Sequence, residues 1–228
     1  MSRRLSRREA IAAGGGIALG AAGLGLGCGE DDPAAATPTT TAGGRGDGCV
    51  LTPQQSEGPY YVDEAMVRRD IRGGRDGAEL ELLLGVQDAA GCKPIPGATV
   101  EVWHADAEGV YSAFGAGTGE AFLRGAQKTG RDGLALFTTI YPGWYPGRAV
   151  HLHVKVHVRG EEVHTGQLYF DEEVTDEVHQ ADPYASRGQR DTTNDADGLF
   201  AAGGATSVLA VRPNGDGYSG EITMTVAA

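Results

Sequence analysis

Short runs of alternating apolar and polar residues recur along the chain from about residue 80. Each run is rich in β-branched or aromatic residues and ends at a turn containing Gly, Pro, Asn or Asp, as β-strands do. No long segment has the 3.6-residue period of an amphipathic helix. The pattern predicts an all-β protein, an antiparallel β-sandwich, with strands at 80–87, 98–104, 134–140, 150–158, 162–170, 207–211 and 221–226.

Three segments between these runs are long and poor in strand signals, residues 53–72, 108–130 and 171–203. Long loops on a β scaffold usually carry the functional residues of the protein. We therefore expect these loops to carry the functional site.

The run at 150–158 has the clearest alternation. One face carries Val150, Leu152, Val154, Val156 and Val158, and the other carries His151, His153, Lys155 and His157. Two histidines at i and i+2 on a strand lie about 7 Å apart at their Cα atoms, close enough to bind one metal ion. Such a pair alone is equally well explained as ordinary polar alternation.

Two tyrosines strengthen the metal interpretation. Tyr145 lies six residues before His151, in a turn too rich in Gly and Pro to be a regular strand, and Tyr111 lies in the loop that follows the strand at 98–104. A free phenol has a pKa near 10, so a phenolate at neutral pH needs a strong nearby cation.

The start of the chain differs in composition from the rest. Residues 1–27 have a basic head and an apolar, Gly/Ala-rich stretch, and Ser6-Arg7-Arg8 fits a twin-arginine-type signal peptide. Residues 28–48 have almost no large apolar side chain and are interpreted as a flexible tether, with Cys28 a candidate for lipidation and membrane attachment. We expect residues 49–228 to form the catalytic domain of an exported protein, either a cell-surface lipoprotein or secreted.

Cysteine count and charge agree with that division. If Cys28 carries a lipid, Cys49 and Cys92 remain as a candidate disulfide in an oxidising compartment. The net charge of −12 becomes about −15 once residues 1–27 are removed. A chain this acidic is a poor binder of nucleic acid.

The sequence resembles the intradiol ring-cleavage dioxygenases, the family of protocatechuate 3,4-dioxygenase and catechol 1,2-dioxygenase. The matching stretches occur in the family's order and are GPYY at 58–61, RRDIR at 68–72, PIPGATVEVWHADAEGVYS at 94–112, FLRGAQKTGRDGLALFTTIYPGWYPGR at 122–148, HLHV at 151–154 and TGQLYF at 165–170.

The resemblance implies a non-haem Fe(III) ion bound by Tyr111, Tyr145, His151 and His153. It further implies that a catechol-type substrate displaces Tyr145, which takes a substrate proton, and that O2 opens the ring between its two hydroxylated carbons. The product is a cis,cis-muconate-type diacid.

The resemblance also assigns residues around the substrate. It places Arg148 and Gln167 beside the ring, and Tyr60 and Tyr61 at the edge of the pocket. The identity of the catechol and the oligomeric state stay open, as do the roles of His104 and His157.

Three other interpretations compete with this one. A cupin-type metal site needs a Glu four or five residues after the histidine pair, where this chain has His157 and Val158. A copper/zinc dismutase-like sandwich gives the two tyrosines no role. A non-catalytic secreted β-sandwich binding module predicts no bound iron, and it leaves the shared presence of two tyrosines, two histidines and Arg148 unexplained.

Overall fold

A computed structural model describes residues 49–63 and 66–228. The predicted signal peptide, the tether and the lipidation site at Cys28 lie outside the described residues. The strands are β1 Glu79–Asp88, β2 Thr99–Trp103, β3 Arg124–Lys128, β4 Leu134–Ile140, β5 His151–Val158, β6 Glu161–Tyr169, β7 Ala210–Asn214 and β8 Gly217–Val226. The helices are α1 Glu172–Val178 and α2 Gly198–Ala201, with 3₁₀ turns at Tyr184–Arg187, Asn194–Ala196 and Gly204–Thr206.

The strands form two four-stranded sheets, in the orders β4-β1-β8-β7 and β3-β2-β5-β6. This sandwich-like arrangement confirms the predicted all-β fold. One detail of the prediction is wrong, because β1 and β8 pair in parallel while the other pairs of these sheets are antiparallel. A parallel pair needs a long crossover connection, and here nearly the whole domain lies between the two strands.

The main core contains aliphatic side chains from both sheets. From β1, Leu80, Leu82 and Leu84 point into it, and Leu152, Val154 and Val156 do so from β5. These positions alternate as the sequence pattern predicts. The opposite face of β5 is also covered, because loops lie over it, and its His151, His153 and Lys155 are therefore buried as well.

The sequence patterns did not predict β3 or α1, and they misplaced the starts of β7 and β8. The β3 sequence RGAQK has no β-branched or aromatic residue, so nothing in it signalled a strand. Strand β7 begins three residues later than predicted, and β8 begins four residues earlier. Helix α1 is only seven residues long, too short for a clear helical period, although Asp171 caps it by accepting hydrogen bonds from the N–H groups of Glu173 and Val174.

An extended segment, residues 49–62, precedes β1 and reaches the β3-β2-β5-β6 sheet. We call it the N-terminal strap. Its first residue, Cys49, forms a disulfide with Cys92, with a Cα–Cα distance of 5.4 Å. Further along, the N–H of Thr52 donates to Thr225 O and that of Gln55 to Thr165 O. The first bond is to β8 of one sheet and the second is to β6 of the other, so the strap runs from the first sheet to the second, where β6 pairs with β5. No helix in the described ranges is long and apolar enough to cross a membrane.

Replacing both cysteines of this disulfide by serine should lower the free energy of unfolding. The bridge spans a sequence separation of 43 residues, and the loss of that constraint on the unfolded chain corresponds to about 4 kcal/mol. Denaturant unfolding of the oxidised protein and of the double variant measures the difference. Reduced wild type serves as the matched control and should unfold like the variant; equal midpoints for all three samples would contradict the prediction.

Candidate metal centre

Four side chains predicted from the sequence as metal ligands converge on one point beside β5. The Nε2 atoms of His151 and His153 lie 3.2 Å apart, and the Tyr145 hydroxyl oxygen lies 3.2 Å from Nε2 of His151. The ring of Tyr111 lies 5.7 Å from that of Tyr145 and 6.0 Å from that of His153, measured between centroids. The structure therefore brings all four together.

Both histidines are held in the neutral form that binds metals. Nδ1 of His151 donates to the carbonyl of Ala149 at 2.7 Å, which leaves the lone pair on Nε2, the atom facing the other donors. Burial, and then the charge of Arg148, lowers the pKa of His151 to about 3. Burial, reinforced by His151, holds the pKa of His153 well below its usual value.

Tyr111 is a buried phenol whose oxygen needs a partner. Its side chain is 3% exposed, and its hydroxyl has no hydrogen-bond partner among the described residues. Leaving a buried polar group unpaired is costly. Burial, with Tyr145 nearby, raises the pKa of Tyr111 well above 10, so its phenolate can form only beside a strong cation.

The donor set fits a metal ion that accepts both hard oxygen and imidazole ligands. Tyr111 and Tyr145 offer two phenol oxygens, and His151 and His153 offer two nitrogens. Anionic oxygen donors favour a hard, highly charged ion such as Fe(III) over softer ions. Elsewhere in the described ranges, no group of three or more His, Cys, Asp or Glu side chains is arranged to hold a metal.

The two tyrosine-bearing loops contact each other closely. Gly109, two residues before Tyr111, has a φ of +79°, and a Cβ there would lie 2.4 Å from the carbonyl oxygen of Trp144, next to Tyr145. Only glycine fits both the backbone conformation and the contact. Arg187 strengthens the junction, since it donates to the same Trp144 oxygen and its guanidinium lies 4.4 Å from the Trp144 ring centroid.

Arg148 and Gln167 lie together beside this centre. Arg148 Nη2 donates to Gln167 Oε1, and Gln167 Nε2 donates to Ser56 O of the N-terminal strap at 2.9 Å. Gln167 is opposite His153 in the β5–β6 register. Arg148 Nε donates to Asp197 Oδ2 at 2.8 Å. Sequence reasoning missed Asp197, whose only local signal was a helix cap before Gly198.

The two tyrosines predicted to border the pocket occupy different places. Tyr60 stacks on Tyr111, with centroids 4.3 Å apart and planes 15° apart, and meets Tyr145 edge-on at 6.1 Å. Tyr61 instead packs on Trp103 at 5.0 Å, and its hydroxyl donates to Glu101. The structure brings Tyr60, but not Tyr61, to the four donors.

The other two histidines considered from the sequence lie outside the donor group. His104 Nδ1 donates to Ala105 O at 2.8 Å, and its Nε2 pairs with the hydroxyl of Thr139 on β4 at 2.7 Å. Burial lowers the pKa of His104 to about 4, so it is a neutral contact between the sheets. Nε2 of His157 lies 2.7 Å from Glu101 Oε1.

Comparison with known proteins gives consistent results. Residues 56–202 match the model of a protein family described as Dioxygenase. Catechol 1,2-dioxygenase 1 of Acinetobacter lwoffii is 42% identical over 101 residues, which cover 41% of this chain and 32% of the relative. Catechol 1,2-dioxygenase of Acinetobacter baylyi is 31% identical over 190 residues, covering 66% of this chain and 59% of the relative. The chain spans about a third to a half of the first curated relatives it matches.

Solved structures match over more of their length. An intradiol ring-cleavage dioxygenase from Tetranychus urticae is 33% identical, with a TM-score of 0.74, and the match covers 78% of this chain and 95% of that one. The dioxygenase domain of a carbohydrate-binding fusion from Streptomyces sp. SirexAA-E is 32% identical, with a TM-score of 0.62, and the match covers 78% and 99%.

Replacing Gly58 by Ala should weaken metal binding through His153. Gly58 has a φ of +71°, and a Cβ there would lie 3.1 Å from Cε1 of His153, whose ring also stacks on Trp103. Mutations of the groups that surround and orient a ligating histidine typically cost 10–100-fold in metal affinity. The measurement is a titration of iron into the metal-free protein.

Gly74→Ala is the matched control for this variant. Gly74 has a φ of +79°, and a Cβ there meets nothing within 4 Å. Both variants therefore carry the same backbone strain, about 1–2 kcal/mol, but only one touches a ligand. Equal metal affinity in the two variants would contradict the account of His153.

Proposed function

Because the chain belongs to the dioxygenase family matched over residues 56–202, we propose that it is an Fe(III)-dependent intradiol dioxygenase. Its substrate is a catechol-type aromatic ring, which it opens with O2 between the two hydroxylated carbons. Both oxygen atoms are incorporated, and the product is a cis,cis-muconate-type diacid. Two of the curated relatives are named as catechol 1,2-dioxygenases, which supports a catechol-type substrate.

The observation that carries the proposal is the convergence of two neutral imidazoles and two phenols on one point. Nε2 of His151 and Nε2 of His153 are 3.2 Å apart, with the Tyr145 oxygen at the same distance from His151, and the Tyr111 hydroxyl nearby has no other partner among the described residues. Bound there, a ferric ion supplies the positive charge that keeps phenol and catechol oxygens ionised. A non-catalytic binding module gives these four side chains no common role.

The two tyrosines differ in burial. Tyr111 is buried, whereas Tyr145 is half-buried on a loop between Pro142 and Pro146. We therefore assign the role of base to Tyr145, whose oxygen would accept a proton from the arriving catechol hydroxyl. Tyr111, His151 and His153 would hold the ion.

Arg148 and Gln167 stabilise negative charge that develops on the substrate. Arg148 is a half-buried cation; burial raises the pKa of Tyr145, and the charge of Arg148 offsets part of that rise. A fixed positive charge in a water-poor site stabilises developing oxyanions more strongly than one in bulk water. Gln167 accepts a hydrogen bond from Arg148 and so holds it beside the site.

We further propose that the enzyme works outside the cytoplasm. The twin-arginine-type features of residues 1–27 and the candidate lipidation of Cys28 support export with membrane attachment. The Cys49–Cys92 disulfide supports the same location, because such bridges persist in oxidising compartments.

Tyr145→Phe should lower the rate of catechol-dependent oxygen uptake by about 10²–10⁴-fold, the usual contribution of a positioned general base. Tyr218→Phe on β8 is the control, since it also removes one phenol hydroxyl, which contacts Glu177 rather than the metal ligands. The measurement is oxygen consumption by iron-loaded protein, with chromatographic identification of the product.

The product decides the class of reaction. A dicarboxylic acid retaining all six ring carbons supports intradiol cleavage. A ring-opened aldehyde, or no catechol consumption by iron-loaded wild type, would refute the proposed function.

A further inference from the structure

We propose that Asp197 is a positioning residue for Arg148, and that the loop carrying it is therefore part of the catalytic apparatus. The inference rests on the proposed function, since it concerns how Arg148 is aimed at the substrate. Asp197 lies 49 positions after Arg148, within the 171–203 segment, one of the long loops that the sequence analysis expected to carry the site without selecting a residue in it.

Asp197 is a buried carboxylate with its oxygens fully used. It is 2% exposed. Its Oδ2 accepts from Arg148 Nε at 2.8 Å and from the N–H of Ala149 at 2.9 Å. Its Oδ1 accepts from the N–H groups of Leu199 at 2.7 Å and Phe200 at 3.2 Å. One side chain thus joins the start of β5 to the start of α2.

These contacts fix the guanidinium of Arg148 at two points. Asp197 holds Nε, and Gln167 accepts from Nη2. Gln167 is held in turn by Ser56 O and by the hydroxyl of Tyr169, which donates to Gln167 Oε1 at 3.2 Å. A planar guanidinium bonded through two of its nitrogens is restricted in its orientation.

The same loop holds the backbone on the Tyr145 side of Arg148. The N–H of Gly147 donates to Asp191 Oδ1 at 3.1 Å, while Ala149 N–H donates to Asp197. Arg148 therefore lies between two backbone anchors supplied by one loop. Of the two aspartates, only Asp197 also accepts a hydrogen bond from the Arg148 side chain. Variants of Asp191 and of Asp197 should therefore differ in their effect on the reaction rate.

The physical consequence concerns the reaction rate more than metal binding. Without Asp197, Arg148 loses one of its two anchors and its charge is free to shift by an ångström or more. A displacement of that size at a catalytic group costs about 100-fold in rate. The four proposed metal ligands keep their own contacts, so iron content should not change.

The test uses Asp197→Ser in the full chain. Serine is a good helix N-cap, so it can keep the contact to α2, but its side chain is too short to reach Arg148. We expect full iron content, an anaerobic catechol affinity within about threefold of wild type, and kcat reduced about 100-fold. Asp191→Asn is the comparison variant: it leaves Asp197 bonded to the Arg148 side chain, and its amide oxygen can still accept from the N–H of Gly147, so its loss of kcat should be clearly smaller than that of Asp197→Ser.

A double-mutant cycle with Arg148→Met distinguishes positioning from a general structural effect. If Asp197 acts through Arg148, Asp197→Ser lowers kcat in the wild-type background but changes it little in the Arg148→Met background. Equal losses in both backgrounds, or an unchanged kcat in Asp197→Ser alone, would overturn the assignment of Asp197.

A fallback variant and the turnover of the wild-type protein complete the test. Asp197→Thr, another side chain that can cap α2 but is too short to reach Arg148, replaces Asp197→Ser if the serine variant does not fold, and the same outcomes apply. A wild-type protein that takes up iron but consumes no oxygen with any catechol refutes the proposed function itself. Normal wild-type turnover with unaffected Asp197 variants refutes only the positioning role.

Discussion

The alternation of side chains along β5 is the constraint on which the site depends. Leu152, Val154 and Val156 are fully buried in the main core, so the intervening His151 and His153 must face the other way. A slip of one residue would turn both imidazoles into the core and present aliphatic side chains to the site. The large apolar core thereby secures the direction in which the proposed metal ligands point.

The strand register extends that constraint across the sheet. Trp103 on β2 and Gln167 on β6 both lie opposite His153, so the ring that stacks on His153 and the amide that holds Arg148 belong to one cross-strand row.

The loops complete the site from outside the sheet. Close contact between Gly109 and Trp144 holds the two tyrosine loops together, and the disulfide-anchored N-terminal strap brings in Ser56 and Tyr60. A bound cation would pair the phenol of Tyr111, which has no hydrogen-bond partner among the described residues, and metal binding would in this way be coupled to the order of both loops.

Sequence reasoning reached much of this because its strongest signals are local. Alternation identified β5 and its two faces, turn chemistry delimited most other strands, and the family resemblance assigned Tyr111 and Tyr145 as ligands. Strand β3 could not be recognised because its short RGAQK sequence pairs with β2 without any β-branched residue. Asp197 could not be linked to Arg148 because its hydrogen bonds depend on how a distant loop folds back onto β5. The resemblance assigned Tyr60 and Tyr61 to the pocket together because they share one motif. In the structure the two adjacent side chains have different partners: Tyr60 stacks on Tyr111, and Tyr61 packs on Trp103.

The most direct test of the central claim is a titration of ferric iron into metal-free protein, followed by visible absorption. The account predicts a tyrosinate-to-Fe(III) charge-transfer band that saturates at one iron per chain and shifts when catechol is added without oxygen. Protein that binds iron stoichiometrically but stays colourless, or a band that catechol leaves unchanged, would contradict a centre built from Tyr111, Tyr145, His151 and His153 with an exchangeable position for substrate.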